Sequence, residues 1–426
     1  MQVLHVNIRA SQGGAGRVAL DLHRRLRLQN IDSRLVYGYA SGIGDDPEVR
    51  DDATVRRIGT RAAVIGNFAT HLLIGRDLFT GRKAVLAEAI EASDVVHLHA
   101  PHHYFMNWDF FIGIIARFGK PLVITAHDWW FVTGRCGFVE GCTGWQRQCG
   151  ECGAMKCRDL PSWLDLSRAN RDTKVRSIRR LGAAVGFACP SRHIAHDYRR
   201  AYPDTDIRVV HNCIDLDFEQ QLAAAPAPDT GERKAYLFSA SDLASPGKVD
   251  ADLVRALLEA GEIPLRFVGR NNPFAVAPGA WLGEVRSRRQ MVDVLRGARA
   301  LVFCSRMDNA PLTIMEALAA GCFVLAYQSP AAQEMLELVG GRCVADRQAM
   351  IEAIRGGAVE ALYGGIDAGE LARRAAAHFS GTAITGKYRA LYADAVAAAR
   401  PADAAAASGN ASFAAAGAGP RLPWLR

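Results

Sequence analysis

Short runs of aliphatic and β-branched residues recur along the chain, separated by longer stretches in which apolar positions return every three or four residues. "QVLHVNI", "SRLVYGY", "DVVHLHA", "PLVITAHD", "AVGFACPS" and "IRVVHN" form one series, and "KAYLFSAS", "PLRFVGR", "ALVFCSR" and "CFVLAYQ" form a second. Strand-length runs alternating with helix-length amphipathic stretches predict βαβ units, parallel sheets and helices on both faces, the α/β class. Between the series, "FEQQLAAAPAPDTGERK" at 218–234 loses the periodicity and reads as a linker. The pattern thus predicts two doubly wound, Rossmann-like domains, over 1–217 and 235–377, with a last helix over 378–399 expected to cross back to the first. Residues 400–426, an Ala/Gly/Ser/Pro tract, read as a disordered tail. Two such domains face each other across a cleft outside the carboxyl ends of their strands, where this architecture places ligands.

Composition narrows this picture. With 426 residues, 50% of them hydrophobic and 22% charged, the chain has material for two large cores. Its start, Met1-Gln-Val-Leu-His-Val-Asn-Ile, lacks a basic segment, a longer apolar run and a small-residue cleavage site, so it reads as a first strand and the expected location is cytoplasmic. Apolar runs such as Phe110 to Ala116 stop well short of the roughly 20 residues of a membrane span. The formal charge is +7, and residues 168–200 alone carry nine Lys/Arg against Asp172 and Asp197. That segment reads either as a solvated helix face or as a contact for anionic lipid head groups or a phosphorylated substrate. No nucleic-acid reading module accompanies the charge, so nucleic acid is not expected as a partner.

The chemistry-bearing residues cluster just after predicted strands. "RASQGGAGRVALDL" follows the first run, and Gly13 and Gly14 there would let backbone N–H groups and a helix N-terminus approach an oxyanion; a turn that merely reverses the chain gives the same pattern. In "HLHAPHH", His97 and His99 alternate along a strand, so one of the two is expected to be buried and hydrogen-bonded. His127 and Asp128 follow "PLVIT" at the cleft edge, where a histidine can bind a hydroxyl or polarise a reacting oxygen, or simply end a strand. Lys248, in "SASDLASPGKVDADLV", is placed as a point charge for phosphate. "CSRMDNAPLTIMEALAAG" puts Asp308 in a loop and Glu316 eight residues on, in a helix closed by Gly321, with the amides of Leu312 and Thr313 at its N-terminus. Two carboxylates for hydroxyl groups and an anion cradle between them result.

The stretch "TGRCGFVEGCTGWQRQCGECGAMKC", 133–157, holds five of the ten cysteines. Disulfides do not persist in a reducing cytoplasm, which leaves metal ligation or free thiols. Cys149-x-x-Cys152 has zinc-knuckle spacing and Cys136 with Cys142 could complete four thiolates; such a closed site has no open position for substrate and would be a structural staple.

These motifs, in this order, resemble the family 4 retaining glycosyltransferases of GT-B fold over roughly residues 1–398, with Asp308 and Glu316 at the two positions of the E-x7-E signature. The "HDWWFVTGRC" insert and the "DN-x-P-x-T" form of the signature are similar to the bacterial exopolysaccharide branch that includes the colanic acid enzymes. The resemblance implies a metal-independent hexosyltransferase that moves a sugar from a UDP- or GDP-sugar, with retention of configuration, to a lipid-linked saccharide, with the basic segment 168–200 on the inner membrane face. It implies that Glu316 binds ribose, that Asp308 contacts hydroxyls of the transferred sugar, that Lys248, Leu312 and Thr313 neutralise the leaving diphosphate, that His127 lies at the reaction centre, that Gly13 and Gly14 leave room for phosphate or acceptor, and that Asn309 belongs to the donor site. Asp stands in place of the first Glu, Cys213 in place of a turn glycine, and Ser241 or Asp242 where an Arg often precedes the Lys, so Arg270 is the expected substitute cation. An epimerase of the same fold and an inactive sugar-nucleotide scaffold remain as alternatives.

Overall fold

The computed structural model describes residues 1–399 apart from 140, 154, 156–160, 225–232, 262 and 358. Two parallel sheets organise it. The first contains β1 (Gln2–Asn7), β2 (Asp32–Tyr37), β3 (Val55–Arg57), β4 (Val95–Leu98), β5 (Leu122–Thr125), β6 (Val185–Cys189) and β7 (Asp206–Val209), in the order β3-β2-β1-β4-β5-β6-β7. The second contains β8 (Tyr236–Asp242), β9 (Leu265–Arg270), β10 (Ala300–Phe303) and β11 (Phe323–Ala326), in the order β11-β10-β8-β9. Strand order reverses beside β1 in one sheet and beside β8 in the other, and such switch points open crevices at the strands' carboxyl ends.

Every residue of β4, β5, β6, β10 and β11 is buried, as expected for parallel strands covered on both faces. His97 within β4 and His99 just beyond it are both inside, at 0% and 1% exposure, rather than one in and one out. The helices are locally encoded. Trp108–Phe118 begins where Asn107 accepts from the Phe110 amide and ends at Gly119 with φ of 59°; Ala251–Ala260 begins on Asp250, which accepts from the Leu253 amide, and ends at Gly261 with φ of 70°. Losing one such N-cap costs roughly 1 kcal/mol.

The end of the chain covers the first domain. Helix Gly381–Ala399 lies on the N-terminal sheet, where Tyr388 and Tyr392 are buried with Val3, Val95, Val123 and Ala188. The Tyr392 hydroxyl meets His97 Nδ1 at 2.7 Å and the Tyr388 hydroxyl meets Thr125 Oγ1 at 2.9 Å. Gly186 packs closely under this helix, since a Cβ there would stand 3.0 Å from Leu391 Cδ1 and the leucine would have to shift. The segment read as a linker begins as structure instead: Leu216–Ala224 is helical and Phe218 is wholly buried in the second domain's core. Its Gln and Ala residues are good helix formers and its one aromatic side chain is an anchor, so loss of strand periodicity did not mean loss of structure. The rest of the expected linker, 225–232, and the expected tail, 400–426, lie outside the described residues.

Candidate active site between the two sheets

A cavity of about 450 Å³ opens between the domains, within the size range of small-molecule sites. From the first domain it is lined by Gly14, His127, Asp128, Pro190 and Asn212; from the second by Ser239, Lys248, Asp308, Asn309, Leu312 and Thr313. All lie near strand ends or helix starts, where backbone polar groups point outward.

The second domain supplies charge. Helix Leu312–Ala319 starts after Pro311 with no side-chain cap and no acidic residue in its first turn, so the N-terminal amides of Leu312 and Thr313 face the cavity uncompensated. Lys248 Nζ stands across from them and is held by Asp308, at 2.6 and 2.8 Å from its two oxygens. Glu316, one turn into the same helix, does not line the cavity. Its carboxyl is pushed up to about 7, chiefly by burial, against the pull of Arg288, whose Nη1 is 3.6 Å away. Arg288 also reaches Asp215 of the first domain at 3.2 Å.

The first domain supplies a neutral imidazole, His127, beside one ionised carboxylate, Asp128. His127 is held down to about 4 by burial, which outweighs the neighbouring Asp128 carboxylate, so it is a neutral imidazole at physiological pH. Asp128 is ionised: burial pushes its pKa up, but His102 Nε2 at 2.8 Å and the Trp130 amide at 2.8 Å bring it below the usual carboxylate range. The two halves are latched across the cleft, where Asn309 Nδ2 donates to the His127 carbonyl at 2.8 Å and Asn212 Nδ2 donates to the Ala310 carbonyl at 3.2 Å.

Residues 12–218 match the family described as Glycosyltransferase Family 4, and residues 251–356 match Glycosyl transferases group 1. A protein of Escherichia coli K12 named as a colanic acid biosynthesis glycosyl transferase is 32% identical over 410 residues, covering 92% of this chain and 99% of its own. The chain is a family 4 glycosyltransferase. Its fold is GT-B: an Anabaena protein, HepE, solved with UDP superposes with a TM-score of 0.61 at 14% identity, covering 92% of this chain and 100% of that one. Sucrose-phosphate synthase of Thermosynechococcus elongatus gives 0.57 at 14% identity, covering 93% and 99%.

In this glycosyltransferase His127, Lys248, Asp308, Asn309, Leu312, Thr313 and Gly14 come together around one cavity. Gly13 and Arg270 are not among its lining residues. Gly13 begins the first helix with φ of 74°, a left-handed conformation that explains the glycine, and its missing Cβ faces open space. Arg270, expected as the substitute cation, is the last residue of β9, paired with Asp242 of β8, and donates from Nε to the Ser241 carbonyl at 3.2 Å. Cys213, where a turn glycine was expected, is buried and donates its thiol to Asp21 at 3.0 Å. Arg288 and Asp215, the partners of Glu316, were missed by sequence reading. Arg288 follows Ser287 at a helix start and carries no motif of its own.

The cysteine-rich insert folds back on the cleft. The Trp129 amide bonds the Gly137 carbonyl at 3.0 Å, and Phe138 lines both the main cavity and an adjoining one of about 490 Å³. Cys136, Cys142, Cys149 and Cys152 all border that second cavity, and Cys149 Sγ accepts from the Gly134 amide at 3.3 Å. Their sulfurs are not drawn into a cluster: among the described residues, the three side chains with ligand atoms all within 4.8 Å of one another are His5, His97 and His99. Cys157 lies outside the described residues.

The basic segment is not one uniform face. Lys174 is buried, with Nζ 2.6 Å from the Trp130 carbonyl and 3.7 Å from the centre of its ring. Arg179 and Arg199 are tied to the Ala201 and Ile207 carbonyls, and Arg192 reaches Glu334 of the second domain. No helix among the described residues is long and apolar enough to cross a membrane.

Proposed function

We propose that this glycosyltransferase moves a hexosyl group from a nucleoside diphosphate sugar, with retention of configuration, to a lipid-linked saccharide in exopolysaccharide assembly. The observation that carries the reading is the convergence of Lys248, the uncapped amides of Leu312 and Thr313, and the neutral His127 on one cavity. A departing diphosphate accumulates negative charge, and a fixed ammonium with helix-terminus amides stabilises that charge as it develops. Asp308 both positions Lys248 and offers an acceptor to sugar hydroxyls. Glu316 binds the ribose in this reading, which requires its carboxyl, one layer behind the cavity lining, to turn from Arg288 toward the donor. Acceptor attack on the face vacated by the leaving group retains configuration, and the leaving phosphate oxygen takes the acceptor proton. The UDP of the Anabaena structure supports a nucleotide donor, and the name of the Escherichia coli relative supports the polysaccharide context.

A lipid-linked acceptor calls for approach to an anionic bilayer. Ile65, Phe68 and Leu73 on helix Arg61–Ile74 are exposed, as are Trp163 and Leu164, which are stitched to that helix through the Leu72 and Leu73 carbonyls. Exposed Arg61 on that helix, and exposed Arg168 and Arg176 on the helix Ser167–Leu181 that follows Trp163 and Leu164, supply charge for the head groups. The cysteine insert takes no part in bond making in this reading. A zinc ion held by Cys136, Cys142, Cys149 and Cys152 would be structural, would bring thiolate charge close to buried Lys174, and would require the sulfurs to close around it.

The deciding experiment incubates the purified protein with UDP- and GDP-sugars and a lipid-linked acceptor extract. Donor-dependent mass gain on the acceptor, undiminished by chelator and abolished in Glu316→Ala, is the expected result. A changed sugar configuration without transfer would make the protein an epimerase, and no turnover of any donor by folded protein would leave a binding scaffold.

A further inference from the structure

Behind His127, the buried His5 and His99 of the N-terminal sheet are not used by the reading above. His5 lies in β1, His99 just beyond β4 and His127 just beyond β5, on three neighbouring strands. His5 Nδ1 is 3.2 Å from His99 Nε2, and His99 Nδ1 is 3.1 Å from His127 Nε2. The chain stops at His5 Nε2, which is buried and has no hydrogen-bond partner. At the other end, the ring nitrogen of His127 left outside the chain is Nδ1, and His127 lines the cleft. We propose that His5 and His99 form a hydrogen-bonded relay that fixes the tautomer of His127, placing its proton on Nδ1 for donation into the cleft. The use made of that donor rests on the transferase reading; the relay itself does not.

Each imidazole-to-imidazole bond needs one N–H and one lone pair, so with one proton per ring the three rings must all align in the same direction. If His127 donated from Nε2, every proton would shift inward and His5 would end with an N–H on Nε2, buried and without an acceptor. If the alignment runs outward, His5 strands only a lone pair. An orphaned buried N–H is the rarer and costlier of the two, so the outward direction prevails. It leaves His127 as a neutral donor at Nδ1, suited to an oxygen on which charge develops and unsuited to act as a base from that atom. Burial keeps His5 and His99 uncharged as well, since both are held well below the usual histidine range.

His97 packs beside the relay without joining it. Its ring centre is 4.1 Å from that of His99, but its nitrogens are engaged by the Tyr392 hydroxyl and Thr125 Oγ1, each at 2.7 Å. The same arrangement disfavours a metal ion among His5, His97 and His99. Both nitrogens of His97 and His99 are already bonded, and the trio includes no carboxylate to offset the ion's charge.

Nitrogen-15 NMR of the intact, histidine-labelled protein reads each tautomer without any substrate, with signals assigned by single histidine substitutions. Expected are a proton on His127 Nδ1 and none on Nε2 of His127 or His5; a proton on His127 Nε2 overturns the relay. In the transfer assay His99→Gln, whose amide can still donate to His127 Nε2, keeps most of kcat, whereas His99→Leu loses about tenfold or more with donor KM little changed. Equal losses in the two folded variants would count against the relay, as would a stoichiometric metal whose removal shifts the His99 signals. Should no donor be turned over by the parent protein, the transferase reading fails while the NMR result still decides the relay.

Discussion

The two walls of the cleft do different physical work. The wall formed by the first domain presents the neutral imidazole of His127, with the uncharged His99 and His5 behind it, beside Asp128, which is ionised and bonded to His102. The wall formed by the second carries an ammonium, the carboxylate of Asp308 and a bare helix N-terminus, with Glu316 and Arg288 one layer behind. Hydrogen-bond direction matters on one side and net charge on the other. A reaction that separates charge between sugar and diphosphate uses both, because a neutral donor orients the sugar without competing for the phosphate's counter-charge.

The comparison can be broken most strongly from the charged side. Lys248→Ala should lower kcat by on the order of 10²–10³-fold with the melting temperature nearly unchanged, because the ammonium is removed from an accessible loop. A loss under tenfold, read in the donor assay, would mean that the helix amides suffice. On the uncharged side His127→Leu should cost less, about 10- to 100-fold in kcat, because it removes one neutral hydrogen bond and no charge.

A third prediction concerns stability. Glu316 has its folded pKa raised to about 7, with Arg288, Asp215 and Arg17 facing it. Its contribution is therefore fully present below the unfolded carboxyl pKa and is lost as pH rises through about 7. Glu316→Gln cannot ionise, so the gap in melting temperature between variant and parent should move in the variant's favour from pH 4.5 to pH 7.5, values chosen to bracket the shift. A gap independent of pH would show that Arg288 fully compensates the carboxylate. The smallest effect is expected at a residue that does not line the cavity: Trp163→Ser should weaken sedimentation with anionic vesicles severalfold and leave transfer to a soluble acceptor analogue unchanged.

How much of this was legible in the sequence depended on distance along the chain. The strand ends, the helix starting at Leu312 and the glycine at position 13 follow from local pattern, and the residues placed just after strands reach the cavity with few exceptions. Arg270 is not among the cavity's lining residues, because a position at the end of a strand fixes where a side chain starts, not which way it turns. Glu316 was read as facing the cleft, but the helix's turn carries it one layer behind the lining, onto Arg288. The helix Leu216–Ala224 was hidden in a composition that suits linker and helix alike.

The sequence by itself determined two parallel-sheet domains, the cleft between them and the residue types offered at its edges. These depend on periodicity, capping and turn chemistry, which act over a few residues. Only the tertiary structure decided that Lys248 meets Asp308, that Arg288 bridges Asp215 and Glu316, and that His5, His99 and His127 line up across three strands. Those partners lie tens of residues apart in the chain. Burial then fixes which of them carry charge and which can only share a proton.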